Sequence, residues 1–342
     1  MEDTLSKYNY EFPQNLIAQK PASPRDSAKL LIYDRTTKEV ISDTYKNLTK
    51  YIPKNSVLVL NQTKVIPARL EVTKPTGGKV KLLYIKKDNQ YLYFLSDKKL
   101  SSGTKLSLNR NIKFEVLKKT NHLYILKPNF PVKRTEDILT RFGITPLPPY
   151  IKHSPLRGKN LLKQYNTVFA KYLGSVAAPT ASLHFTNQLL NRIRKSGVSI
   201  KFITLHVNLG TFASVTPEQV KHKKLHSEYY EIDSATATFL NKAKKSGRPI
   251  IAVGTTVTRA LESAANRSGQ LKALTGETTL FIQEQTKLKF VDCLLTNFHV
   301  PKSSLLMLVS AFVGRVKLLA LYEFAIKNKY RLFSFGDGML VK

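Results

Sequence analysis

Between residues 64 and 131 apolar and polar positions alternate over short distances. The runs TGGKVKLLYI, QYLYFLS, TKLSLN, IKFEVLKK and HLYILKP are rich in Val, Ile, Leu, Tyr and Phe, with turn-forming residues between them. Such patterning predicts short strands, and closely spaced short strands without long helical periods predict a small β-barrel. A helix is predicted over Arg134–Phe142, stopped by Gly143, and the segment GITPLPPYI is stiffened by its three prolines.

Beyond residue 160 the texture changes to strand–helix alternation. Helices are predicted over Thr186–Lys195, Ser234–Lys245 and Thr258–Ala265, and strands over Val198–His206 and Pro249–Gly254. That alternation argues for an α/β domain. The opening segment holds one apolar run, SVLVLNQT (Ser56–Thr63), which reads as a buried strand, but no core of its own. It is therefore grouped with the C-terminal part. The expected architecture is an α/β (α+β) main domain, residues 1–63 plus 150–342, with a small β-barrel domain and its linker helix inserted at 64–149.

Charge adds a partner to this picture. The chain has 342 residues, 55 of them Lys or Arg and 23 Asp or Glu, for a formal charge of +32. A field of that size attracts polyanions, and nucleic acid fits best because each neutralised phosphate releases counterions. A lineage bias toward lysine would produce the same excess without a partner. The excess is spread over the folded body: residues 64–131 alone carry 15 basic and 4 acidic side chains. The single cysteine, Cys293, rules out an internal disulfide and a cysteine-rich metal site. The opening residues show no apolar signal region, and the longest strongly apolar stretch, near Leu305–Gly314, is too short to span a bilayer. A cytoplasmic protein with no membrane partner is expected.

Six segments place small and polar residues where chemistry can use them. Gly174–Thr180 (GSVAAPT) leads into Leu183-His184-Phe185-Thr186, where small side chains admit a ligand to the backbone and Thr186 can cap a helix. The strand ending at His206 runs into a turn with Gly210 and Thr211, and strand ends are where open α/β sheets bind ligands. A lone strand histidine is more often a satisfied core residue than a catalyst. In HKKLHSE, His222 and His226 would share a face on a helix, with Glu228 beyond. The zincin motif needs Glu directly after the first His, and Lys223 stands there, so acid–base or substrate-binding use is favoured over metal.

Gly254-Thr255-Thr256-Val257-Thr258-Arg259 follows a buried strand and opens a helix. It is no Walker A loop, and the chain holds no G-x-G-x-x-G. Its hydroxyls, helix-start amides and Arg259 suit a carboxylate or phosphate, with Glu262 reading as a structural partner to Arg259. Asn297 and His299 stand together before an apolar helix, and Asp337 lies in a glycine turn.

In chain order, YEFPQNLIAQ, NQTKVIPARL, TGGKV, PLPPYI, SVAAPT, LHFT, TLHV, LGTF, HSE, GTT, RALE, TNFH, PKS, SAF and FSFGD form one series. From about Tyr8 to Val341 the chain resembles the S-adenosylmethionine:tRNA ribosyltransferase-isomerase family. The resemblance implies an α/β domain with an inserted barrel. It implies transfer of the ribosyl part of S-adenosylmethionine onto 7-aminomethyl-7-deazaguanine in the wobble position of tRNA, with release of adenine and methionine. S-adenosylmethionine is then a ribosyl-donor substrate, tRNA the partner, no metal is implied, and a monomer is expected. The chemistry needs a base beside the sulfonium, a neutral amine and an acid for departing adenine. His206, His226, Glu228, His299 and Asp337 are the catalytic candidates. Thr180, His184, Gly210, Thr211, Thr255, Thr256, Arg259 and Asn297 are the substrate-binding candidates. His226 and Glu228 are expected to face the reaction cleft.

The series has departures: Gln62 for Asp, Ser182, Asn208 and Val257 for Gly, Gly and Ser, and Gln283–Thr286 for a Pro-Gly-aromatic turn. The competing readings are a non-catalytic basic tRNA-binding paralogue and a different S-adenosylmethionine-dependent RNA enzyme. If the charge serves RNA, tRNA affinity falls steeply with salt. Each phosphate contact removed by a Lys→Ala change then flattens the log–log slope by roughly 0.7 to 0.9. A slope near zero in a filter-binding titration would mark the charge as lineage bias.

Overall fold

The computed structural model describes residues 4–120, 123–207, 215–272 and 275–342. The chain opens with β1 (Lys29–Tyr33), β2 (Val40–Thr44), β3 (Val57–Asn61) and the short β4 (Thr63–Val65). Six strands follow: β5 (Arg69–Thr73), β6 (Lys79–Lys87), β7 (Leu92–Ser96), β8 (Lys105–Ser107), β9 (Lys113–Thr120) and β10 (Leu123–Pro128). Helices α1 (Thr135–Phe142) and α2 (Gly158–Gln164) lead back through β11 (Tyr172–Ser175) to α3 (Asn187–Lys195) and β12 (Ser199–Leu205). Then come α4 (Pro217–His222), β13 (Lys224–Glu231), α5 (Ser234–Lys245), β14 (Ile250–Val253), α6 (Thr255–Ala264) and β15 (Thr275–Leu280). The chain closes with β16 (Cys293–Asn297), α7 (Ser304–Val313), α8 (Arg315–Lys327) and β17 (Gly338–Val341).

Nine strands form one mixed sheet in the order β15-β13-β12-β3-β14-β16-β17-β1-β2. At its centre β12, β3, β14 and β16 run parallel, with Val57 opposite both Ser199 and Ile250. A strand points successive side chains to opposite faces. Val57 and Val59 of β3 thus join the cluster beneath α5, α6 and α7, while Leu58 and Leu60 join that beneath α3. Both faces are covered, which is why SVLVLN reads as an unbroken apolar run rather than an alternating one.

The barrel closes in the order β10-β7-β6-β5-β8-β9. Leu70, Val72, Leu82, Phe94, Phe114 and Leu126 fill it, and the intervening lysines of β6 and β9 point outward. Its strands lie in sequence between β3 and β12, so the barrel is an insertion in an α/β domain, as the patterning predicts. Of its six strands, β5 is the one that the apolar runs did not mark.

Local boundaries follow from capping. Thr186 caps α3 by accepting from the Leu189 amide at 3.0 Å, and Asp233 caps α5 from Thr236 at 2.8 Å. Helix α6 starts three residues before the predicted Thr258, because Gly254, with φ 91°, turns the chain directly off β14. Its polar first turn hides the start from an apolar period. His222 and His226 do not share a helix: Lys223, at φ 51°, ends α4 in the left-handed region, and His226 lies on β13. Among the described residues no single helix is long and apolar enough to cross a membrane. Helices α7 and α8 qualify only as a pair, and they bend by 108° at their junction.

Candidate active site

Ligands of open parallel sheets bind where the strands run out. Here the ends of β12, β14 and β16 bring Val207, Gly254 with Thr255 and Thr256, and Thr296–Val300 around one cavity of about 400 Å³. The Pro179–Ala181 turn, the Pro149–Tyr150 linker, Leu305 of α7 and Phe333–Ser334 complete the wall. The volume suits a small molecule. Among the described residues no Asp, Glu, Lys or Arg side chain lines it; polarity comes from hydroxyls, one amide and one imidazole.

Helix α6 supplies the strongest field. Its N-cap, Gly254, has no side chain to close the first turn, so the first amides open on the cavity with the positive end of the helix dipole behind them. Thr256 Oγ1 is buried without a hydrogen-bond partner among the described residues. Opposite, Thr180 Oγ1 donates to Asn297 Oδ1 at 2.9 Å, and Asn297 Nδ2 lies 3.3 Å from His184 Nε2 and donates to the Asp337 carbonyl at 3.3 Å. Asn297 is thereby fixed, with Thr180, at the cavity wall.

His299 is held from three sides. Its amide donates to Tyr322 Oη at 2.8 Å, its carbonyl accepts from the Tyr10 hydroxyl, and Nε2 lies 3.0 Å from Thr296 Oγ1. Burial pushes its pKa down to about 3, so the imidazole is uncharged at neutral pH. His184, stacked on Tyr45 with ring centroids 4.2 Å apart, is pushed to about 3 by burial and then by Arg331.

The cavity thus collects Thr180, Thr255, Thr256, Asn297 and His299, with His184 one hydrogen bond behind. Other candidates lie elsewhere. His206 faces a second cleft beside the barrel, and His226 is exposed. Glu228 is turned inward rather than to a cleft and forms a buried ion pair with Arg259. Arg259 also donates through Nε to the Leu280 carbonyl at 3.1 Å and through Nη2 to that of Thr278 at 3.3 Å, so its fork points at the sheet edge. Glu262 is not its partner; that carboxylate accepts from the amides of Lys289, Phe290 and Val291 at 2.8 to 2.9 Å. Asp337 is buried and accepts from the Lys29 and Arg331 amides and the Arg331 guanidinium, which anchors β1 to the last turn. Gly210 and Thr211, like Asn208, lie outside the described residues. Among the described residues no group of three His, Cys, Asp or Glu comes together to hold a metal ion.

Tyr150, Thr296 and Ser334 complete the wall from outside the candidate set: PLPPYI, TNFH and FSFGD contain them, but only tertiary packing brings these segments together. Of the departures, Val257 sits in the core, and Gln283–Thr286 closes its turn through Thr286 Oγ1, which accepts from the Gln283 amide at 2.9 Å. Ser182 is buried with its hydroxyl unpartnered among the described residues.

A doubly covered sheet with a cavity at its strand ends and an inserted barrel defines a two-domain α/β enzyme scaffold. The comparisons with known proteins make this specific. The model of the family described as "Queuosine biosynthesis protein" matches residues 5–341, and the chain belongs to that family. A relative from Fusobacterium nucleatum is 46% identical over 100% of this chain and 97% of its own. One from Caldanaerobacter subterraneus is 44% identical over 98% and 99%. Both are named S-adenosylmethionine:tRNA ribosyltransferase-isomerase. The crystal structure of an S-adenosylmethionine tRNA ribosyltransferase from Thermotoga maritima aligns with a TM-score of 0.56 at 30% identity, covering 98% of this chain and 100% of that one. The resemblance read from the ordered motifs is borne out, and a non-catalytic paralogue is not favoured.

Two measurements check this geometry. Removing one partner of a buried ion pair costs about 3–5 kcal/mol. Glu228→Gln should therefore lower the melting temperature markedly, and adding Arg259→Met should recover part of the loss. An unchanged melting temperature in Glu228→Gln would remove the pair from the account of stability. The second concerns pH. His184 and His299 are uncharged when folded and regain ordinary basicity on unfolding. The unfolded chain thus binds more protons between the ordinary histidine value of 6.5 and about 3. Stability is full above that window and falls as pH drops through it. In His299→Gln the decline of melting temperature on acidification should be shallower than in wild type; parallel curves would contradict the buried neutral imidazole.

Proposed function

We propose that this chain transfers and isomerises the ribosyl moiety of S-adenosylmethionine onto 7-aminomethyl-7-deazaguanine in the wobble position of tRNA, and that the cavity at the strand ends holds S-adenosylmethionine. Membership of the family over nearly the whole chain supports the activity. The observation that carries the site is the open N-terminus of α6 in a cavity lined, among the described residues, by no charged side chain. The carboxylate of the methionine part fits there, against free amides and the Thr255 and Thr256 hydroxyls. Thr180 and Asn297 supply polar contacts across the cavity. His299 is the wall residue suited to accept a hydrogen bond, because its imidazole is uncharged at neutral pH. The reading assigns no step to a metal. It places the reaction in the cytoplasm, on a monomer whose inserted domain spans residues 64–149.

Purified protein given S-adenosylmethionine and tRNA bearing the 7-aminomethyl base should release adenine and methionine and yield epoxyqueuosine on nucleoside mass spectrometry. Adenine at background, with tRNA still bound, would favour the paralogue. Thr256→Val should raise the apparent KM for S-adenosylmethionine by roughly tenfold, the scale of one hydrogen bond to a charged group, with melting unchanged. An unchanged KM would move the carboxylate away from α6.

A further inference from the structure

The Pro179–Ala181 turn closes on the start of α6: a Cβ built on Gly254 would stand 3.6 Å from Ala181 Cβ. Thr180 therefore reaches the cavity close to the free amides of α6 and to Thr256, which is 8% exposed and whose hydroxyl has no partner among the described residues. What Thr180 offers a ligand depends on where its hydroxyl proton points. A chain of hydrogen bonds running back from the cavity decides that.

The chain is anchored on backbone carbonyls, which can only accept. The Asn297 side chain turns one end toward the carbonyls of Asp337 and Gly336, at 3.3 and 3.5 Å, so that end is the amide nitrogen. The same nitrogen lies 3.3 Å from His184 Nε2, which must then accept and carry no proton. Burial, then the Arg331 guanidinium, keeps this ring uncharged, so its one proton sits on Nδ1. The ring also hydrogen-bonds the Arg25 backbone in the sense that favours a protonated nitrogen, as Nδ1–H donating to a carbonyl does. Tyr45, stacked on the imidazole, holds its plane. With its nitrogen directed inward, Asn297 presents Oδ1 to Thr180, whose hydroxyl donates to it at 2.9 Å. The hydroxyl proton is thereby used, and Thr180 Oγ1 has only lone pairs for the cavity. An imidazole protonated on Nε2 would set a second donor against the Asn297 nitrogen. Turning Asn297 over would instead leave two buried carbonyls facing an oxygen.

The position of one proton on a buried ring thus sets the polarity of the wall. Amides that donate and a hydroxyl oxygen that accepts stand close together, and among the described residues no charged side chain lines the space between them. An α-amino acid carries the matching pair on one carbon, a carboxylate that accepts and an ammonium that donates. Resting on the reading that this cavity holds S-adenosylmethionine, we propose that His184 is a positioning residue: through Asn297 it fixes Thr180 as an acceptor, and the α-ammonium of the methionine part donates to Thr180 Oγ1 while the carboxylate meets the α6 amides. His184 itself does not line the cavity. The site then selects the zwitterion, because a ligand without the ammonium leaves the Thr180 acceptor unmatched.

Calorimetry with L-methionine and with 4-(methylthio)butanoate, the same molecule without its amino group, tests this. Wild type should bind methionine more tightly by roughly 10- to 150-fold, the scale of one hydrogen bond to a charged group. Thr180→Val should abolish the preference by weakening methionine alone, and Thr180→Ser should keep it. His184→Leu should also abolish it while 4-(methylthio)butanoate binds as in wild type, which a misfolded variant would not do. His184→Gln, whose amide can donate to Arg25 and accept from Asn297, should retain the preference. In nitrogen-15 NMR of histidine-labelled protein, the ring signals that vanish in His184→Gln should report a proton on Nδ1 alone. A proton on Nε2, equal affinity of wild type for the two ligands, no binding of methionine, or an undiminished preference in Thr180→Val overturns the proposal. These outcomes are separable from the activity. Adenine released by a wild type that binds both ligands alike keeps the function and refutes the ammonium contact. A preference carried by Thr180 and His184 in a protein that releases no adenine does the reverse.

Discussion

A sheet covered on both faces leaves only its edges and the ends of its strands for chemistry. The central strand β3 is buried at every position, with its valines under one helical layer and its leucines under the other. Everything polar that a ligand can reach must collect where the ladders stop. Asn61 makes that stop rigid: its amide donates to the Leu205 carbonyl at 2.9 Å, and its carbonyl accepts from the Leu205 and Thr63 amides at 3.1 Å. One side chain thus clasps the end of β3 to the end of β12 and starts the chain toward the barrel.

The distribution of charge is divided to match. Positive charge is spread over the whole exterior, yet among the described residues no charged side chain lines the cavity at the strand ends. A fixed ion there would have to be stripped of water and would need a partner of its own. Helix-end amides are already oriented by the backbone and carry only partial charge, so they hold an anion without that penalty. Among the full charges that do go inside, Glu228 with Arg259 and Asp337 with the half-buried Arg331 tie elements together away from the cavity.

The barrel was legible because five of its six strands carry their own apolar run and turn residues. The α/β pattern was legible because strand and helix periods differ. What stayed hidden followed from single conformations. A glycine at positive φ moved the start of α6 into a polar turn, and Lys223 in the left-handed region separated two histidines whose spacing fits one helical face. Site candidates chosen for chemistry divided by packing. Thr180, Thr255, Thr256, Asn297 and His299 converge because their segments end parallel strands. Arg259 and Glu228 found each other instead, since α6 turns that face toward β13.

His206 and Val207 are consecutive residues at the end of β12, and they face different chambers, the imidazole toward the barrel and the valine toward the cavity by α6. A substitution that shifts the imidazole, at Thr63 or at the tightly packed Gly174, is therefore felt one peptide unit from the cavity by α6.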